Sequence, residues 1–285
     1  MTFLNSSKDR SNVANILFGA PMDYTCCFRP GTRFGPAEIR KFSENLEDYS
    51  VVQDAALGED VFYDAGDLEL PFGDAVAALD VIEKAVDEIL EDGKRPIMLG
   101  GEHLVTVGAF RSIVRRFPNV HVIHVDAHFD LRDAYEGNPW SHATMMHHVW
   151  GLIDNPHGKV VQIGTRSGPA EEVKFAKANI PQLGLNVDVF SSGPIANWGD
   201  VPVYCTFDID GVDPAFAPGT GTPEAGGLTS LQALQFVREL ATHTHLVGFD
   251  LVEVSPPIDP SGITSALASN MIRELMIALD NRDIA

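Results

Sequence analysis

The 285-residue chain has few cysteines, and an odd number of them: Cys26 and Cys27 are adjacent, and Cys205 lies inside an apolar run. Three thiols so placed make no disulfide framework, and no C-x-x-C pair is present to hold zinc or carry redox exchange. Basic residues are scarce as well, 20 Lys and Arg against 40 Asp and Glu, for a formal charge of −20. A field of that sign repels phosphate backbones and anionic lipid, so nucleic acid and membrane are poor candidate partners and a small cation is a better one. The plainer meaning of the charge is solubility, or a salty habitat. No apolar run is long enough to span a bilayer, and Met1 to Asn12 lack the hydrophobic stretch of a secretory signal. A cytoplasmic protein is expected. Linkers, repeats and low-complexity segments are missing too, so a single domain over 1–285 is expected, with 1–12 flexible.

What is present is a 45% hydrophobic content, ample for a core, arranged as short apolar runs alternating with helical periodicity. Strands are expected at Asn15 to Gly19, Pro96 to Leu99, Val120 to Val125, Val160 to Ile163, Val203 to Phe207 and Leu246 to Leu251. Between them, Asp74 to Leu90 places Val76, Leu79, Ile82, Val86 and Ile89 on one helical face, with Gly93 just beyond. Further helices are expected at Leu104 to Phe117, Ser230 to Ala241 and Ile263 to Leu279, and one after the loop Gly31 to Pro36, where Pro36 suits a first turn. Strands separated by helices imply right-handed crossovers and an α/β fold: a parallel sheet covered by helices on both faces, three layers in all.

Two of these strands end in acidic segments, Asp126-Ala-His128-Phe-Asp130 and Asp208-Ile-Asp210. Spacing of i, i+2, i+4 turns such side chains to one side. One D-x-D alone is an ordinary strand-end turn. Two at the edge where open α/β sheets place their sites, with His103 after a third strand, make a candidate metal-binding constellation. Pro218-Gly-Thr-Gly-Thr-Pro223 begins like a dinucleotide loop, but Glu224 stands where the third glycine belongs and no Lys-Ser/Thr completes a phosphate loop. It reads instead as a rigid loop at the rim of the site. Of the other histidines, His121, His147, His148, His243 and His245 read as structural or surface residues, and His124, sharing strand parity with Asp126, as support for it.

Together, Gly100-Gly101-Glu102-His103, Val125-Asp-Ala-His-Phe-Asp130, Ser141-His142, Phe207-Asp-Ile-Asp210 with Val212-Asp-Pro214, and Asp250-Leu-Val-Glu253 resemble the ureohydrolase family, which includes arginases and agmatinases. The likeness runs from Arg29-Pro-Gly-Thr-Arg-Phe-Gly-Pro36 to the C-terminal helix. It implies an arginase/deacetylase-like fold and two Mn²⁺ per subunit, Ni²⁺ or Co²⁺ being alternatives for the same ligands. One ion would take His103, Asp126, Asp130 and Asp208, the other Asp126, His128, Asp208 and Asp210. Four carboxylates and two imidazoles are a hard, oxygen-rich set suited to Mn²⁺. Glu102 departs from the Asp that many members carry.

The resemblance also implies the reaction, hydrolysis of a guanidino group to urea and an amine. Two metals about 3.5–4 Å apart activate a water at neutral pH, which Asp130 would orient. Glu253 would grip the planar guanidinium through paired hydrogen bonds, and His142 would pass a proton to the leaving amine. The expected substrate is agmatine, giving putrescine and urea, because Leu131 to Glu136 lacks the small polar residues that hold an amino-acid head and Pro169 stands where an arginase-like chain has an acid. Asp133 or Glu136 would then receive the ammonium tail. A guanidino acid such as guanidinobutyrate, paired with Arg132, competes with it, as do arginine and guanidine. A deacetylase-type metal amidohydrolase and a catalytically silent assembly subunit remain open. The family also implies a homo-oligomer, trimer or hexamer.

Overall fold

The computed structural model describes residues 1–284, with backbone alone at 191–192 and 282–284. Its strands are β1 (Asn15–Ala20), β2 (Tyr49–Ser50), β3 (Ala55–Ala56), β4 (Phe62–Asp67), β5 (Arg95–Gly100), β6 (His121–Val125), β7 (Val160–Ile163), β8 (Pro202–Asp208) and β9 (His245–Val252). The α-helices are α1 (Gly35–Ser43), α2 (Ala75–Glu91), α3 (Val105–Arg116), α4 (Met145–Leu152), α5 (Ala170–Asn179), α6 (Val189–Ser192), α7 (Ser230–His243) and α8 (Ile263–Ile284). Seven strands form one sheet in the order β4-β1-β5-β9-β8-β6-β7, and every pairing in it is parallel.

Period-two alternation divides the core between the two faces of that sheet. Leu17, Leu99, Val125, Phe207 and Leu251 pack with Ile39 of α1, Phe236 of α7 and Met271 of α8. Ile16, Phe18, Met98, Val122 and Tyr204 pack with Leu79 and Ile82 of α2, Phe110 of α3 and Met145 of α4. Burying each such large side chain contributes roughly 1.5–3 kcal/mol, which is what drives both helix layers onto the sheet. The expected three-layer α/β fold is therefore present.

Helix starts follow local chemistry. Asp74 caps α2 by accepting from the Ala77 N–H at 3.0 Å, and Thr229 and Gln232 form a reciprocal capping box at α7. Strand β4 and the small hairpin β2-β3 are elements that apolar patterning did not give. In β4 the inward Asp64 is matched by Arg40 of α1, Nε to Oδ2 at 2.8 Å and Nη2 to Oδ1 at 2.9 Å, so a buried edge strand carries a charge. Within the segment 1–12, Phe3 is buried edge-on against Phe62 and its N–H donates to Asp64 at 2.8 Å.

Candidate metal centre and catalytic pocket

Strands β5, β9, β8 and β6 are consecutive neighbours at the centre of the sheet. Each delivers site residues just past its C-terminal end: His103 after β5, Glu253 after β9, Asp208 and Asp210 at β8, and Asp126, His128 and Asp130 after β6. Asp130 and Glu253 sit at φ 52° and 63°, in the left-handed region that non-glycine residues rarely adopt. Backbone strain of that kind is tolerated where the surroundings fix the chain, and here it turns both carboxylates into the site.

His103 Nδ1 lies 3.0 Å from Asp126 Oδ2, 3.2 Å from Asp208 Oδ2 and 3.3 Å from Asp130 Oδ2. His128 Nδ1 lies 3.0 Å from Asp210 Oδ2 and 3.4 Å from Asp126 Oδ1. Two adjoining groups result, with Asp126 common to both: the donor atoms of His103, His124, Asp126 and Asp130 lie within 4.8 Å of one another, as do those of Asp126, His128 and Asp210. All four aspartates are buried. Burial, together with Asp210 and Asp126, pushes Asp208 well above the usual carboxylate range, and burial with Asp126 raises Asp210. Asp126 is held well below it, because the His103 and His124 imidazoles that face it outweigh its burial. Four buried carboxylates this close call for cationic charge, and among the described residues His103 Nδ1 has no hydrogen-bond partner although it is buried. Such a donor set fits divalent metal ions.

A second tier of side chains fixes the first. In the sheet register His124 pairs Thr206 and Thr206 pairs Asp250, so their side chains share a face. His103 Nε2 meets Thr206 Oγ1 at 2.9 Å, Thr206 donates to Asp250 Oδ1 at 2.6 Å, and the Tyr204 hydroxyl donates to the same carboxylate. This chain occupies Nε2 and leaves Nδ1 for a ligand. Gln162 Nε2 donates to His124 Nδ1 at 3.0 Å, so His124 Nε2 carries the proton and donates to Asp126 Oδ2 at 2.9 Å. His124 orients Asp126, as strand parity anticipated.

His103, His128, Asp130 and Asp208 open onto a cavity of about 330 Å³ that Glu253, His142, Cys27 and Glu172 also line. Glu253 Oε1 accepts from the His103 N–H at 2.7 Å, and burial pushes its carboxyl up to about 8. Burial alone would lower His142, but its hydrogen bond with Cys27 and the charges of Glu253 and Asp130 push it up to about 9. Thr222, from the loop after Asp210, reaches this wall and donates to Asp210 Oδ2 at 3.4 Å. Asp133 does not join them. It is exposed and lines a neighbouring cavity, on the loop that runs on into the exposed turn at Glu136 and Gly137, at φ 48° and 84°. Glu136 is exposed too. A further buried acid in the lining is Glu172 of α5, beside Arg132. Nothing in the local sequence marks Glu172, which sits in an ordinary acidic first turn of a helix.

The model of the arginase family matches residues 14–278. The chain belongs to the arginase family. A Bacillus subtilis relative of this arginase-family chain, an agmatinase, is 44% identical over 281 residues, 96% of this chain and 95% of that one. A guanidinobutyrase of Pseudomonas aeruginosa is 38% identical, covering 92% and 85% of the two chains. Among solved structures, the agmatine ureohydrolase of Thermoplasma volcanium superposes with a TM-score of 0.88 at 32% identity, over 99% of this chain and 95% of that one. The arginase-family chain is thus a metal-dependent hydrolase of guanidino groups. Among its described residues, no helix is long and apolar enough to cross a membrane.

Proposed function

We propose that the protein hydrolyses agmatine to putrescine and urea with two Mn²⁺ held by His103, Asp126, His128, Asp130, Asp208 and Asp210. The observation that carries this reading is the shared cavity, which residues of the acidic cluster line together with Glu253, His142 and the buried Glu172. A metal pair bound to the cluster supplies an activated water at neutral pH.

The remaining work falls to side chains of this chain. Glu253 is costly to ionise alone, yet a guanidinium restores its charge and donates two parallel hydrogen bonds to it, which fixes the guanidino carbon beside the acidic cluster. Asp130 accepts a hydrogen bond from the attacking water and orients it. His142 holds its proton near neutrality and gives it to the departing amine nitrogen. Glu172 supplies the negative charge that an ammonium tail requires, the role first assigned to Asp133. Two groups of donors around Asp126 favour a metal pair over the single ion of a deacetylase-type site.

A guanidino acid such as guanidinobutyrate is the second reading, because Arg132 lines the cavity. Its charge is already matched by Glu172 at 3.0 Å, which favours the cationic substrate. Family membership supports a cytoplasmic homo-oligomer, trimer or hexamer, built from a single domain over 1–285. The test is urea release from agmatine, guanidinobutyrate, arginine and guanidine by enzyme of measured metal content. The reading requires the highest kcat/KM with agmatine and two Mn²⁺ per chain. Equal or better turnover of a guanidino acid overturns the substrate, and no urea from any of them overturns the activity.

A further inference from the structure

Glu172 is 6% exposed, yet its Oε1 has no hydrogen-bond partner. Arg132 approaches that oxygen, Nε to Oε1 at 3.0 Å, without directing an N–H at it. The pair is therefore an ion pair lacking its hydrogen bond, and a buried carboxylate oxygen keeps a lone pair available for a better-aimed donor. Arg132 has somewhere else to rest. Its side chain is 39% exposed and its guanidinium lies 5.0 Å from the centroid of the Tyr135 ring, a cation–π contact that survives if the carboxylate is given up. Arg132 and Glu172 also line the second cavity, of about 500 Å³, into which Arg132 can withdraw.

We propose that Arg132 stands in for the substrate's tail, and that a guanidino compound with a cationic tail binds by exchanging its ammonium for Arg132 on Glu172. This rests on the ureohydrolase reading above and adds the element that chooses among guanidino compounds. An ammonium carries three freely rotating donors and can meet the empty lone pair that the fixed guanidinium fork misses. A neutral alkyl tail cannot displace Arg132, and a carboxylate tail faces Glu172 with like charge. The exchange makes Arg132 a competitor of the substrate: removing it strengthens the binding of a cationic tail, whereas removing Glu172 abolishes the preference.

The experiment compares kcat/KM for agmatine with that for n-butylguanidine, which has the same guanidinium and no tail charge, using the manganese-loaded full chain. The assay is run at pH 9. Burial and the charge of Asp130 hold Glu172 near about 7, so the carboxylate is ionised there while an alkylammonium keeps its proton. Glu172→Gln is expected to lower the agmatine-to-butylguanidine ratio at least tenfold, through KM for agmatine. Arg132→Met is expected to raise the ratio at least threefold and to tighten calorimetric binding of 1,4-diaminobutane. A ratio in Arg132→Met at or below wild type overturns the exchange, whatever Glu172→Gln does. If Glu172→Gln fails to fold, the half-exposed Arg132 variant decides alone. Wild-type enzyme that releases no urea from either compound overturns the ureohydrolase reading, and this proposal with it. Wild-type turnover with unchanged ratios in both variants overturns this proposal only.

Discussion

The hydroxyl of Thr25 accepts from the backbone N–H of His142 at 3.0 Å and donates to Glu102 Oε1 at 2.8 Å. Glu102 also accepts from the Thr25 N–H at 2.7 Å, so one buried carboxylate clamps the loop that seats the histidine. Thr25→Val keeps the shape and loses the hydroxyl, leaving Glu102 short of a donor and His142 without its anchor. We expect kcat for agmatine to fall about tenfold, in line with ~1.4 kcal/mol, with KM little changed and the alkaline limb of the pH profile displaced. Thr25→Ser should restore both. An unshifted profile in Thr25→Val would remove Thr25 from the positioning of His142.

Thr206 bridges His103 Nε2 and Asp250. Supporting hydrogen bonds of this kind are worth about 10–100-fold in metal affinity. Thr206→Val, nearly the same shape, is therefore expected to weaken metal binding by that factor in competition with a chelator, while the fold is retained by circular dichroism.

Glu253→Gln separates substrate positioning from metal binding. The amide keeps the hydrogen bond from the His103 N–H but presents no charge to a guanidinium. Turnover should fall by at least about a hundredfold, ~2.7 kcal/mol, with metal stoichiometry unchanged. Loss of metal in this variant would mean that Glu253 organises the cluster instead.

Burial raises the Glu172 carboxyl from its ordinary 4.5 to about 7. A group whose folded-state value lies above its unfolded one costs nothing while both states are protonated, below about 4.5, and costs progressively more up to about 7. Glu172→Gln should therefore raise Tm relative to wild type at pH 8 and leave the two alike at pH 4. Equal shifts at both pH values would show a packing effect unrelated to charge.

Arg40 and Asp64 form a buried bidentate pair between α1 and β4, and the Arg40 side chain is 3% exposed. Arg40→Met strands Asp64 in the interior, which typically costs about 3–5 kcal/mol. Urea denaturation should show that loss, and Arg40→Met combined with Asp64→Leu should regain part of it.

The metal-binding candidates were legible because carboxylates and imidazoles at strand ends have few other reasons to recur at two-residue spacing, and parallel-sheet topology brings such ends together. The support of Asp126 by His124 was legible from parity alone. Partners separated by long stretches of chain were not. Thr25 meets a histidine 117 residues away, and Arg132 meets an acid on α5, with no pattern in either segment to announce it. Asp133 was misplaced because nearness in sequence to Asp130 does not fix direction, and Asp133 is exposed on the loop that leads into the turn at Glu136 and Gly137. Strand β4 was hidden for a related reason: Asp64 points inward, and the guanidinium that makes this tolerable belongs to another element.

Strand order also bears on how the molecule can be made. β5 and β6 carry His103 and Asp126 to Asp130, but β8 and β9 lie between them in the sheet. A nascent chain that has emerged only as far as β7 holds four of the six donors on strands that are not yet neighbours, with a gap where two strands must still insert. Capture of a metal ion by the full donor set consequently waits for the last third of the polypeptide, and truncated products of interrupted synthesis lack Asp208 and Asp210 to complete it.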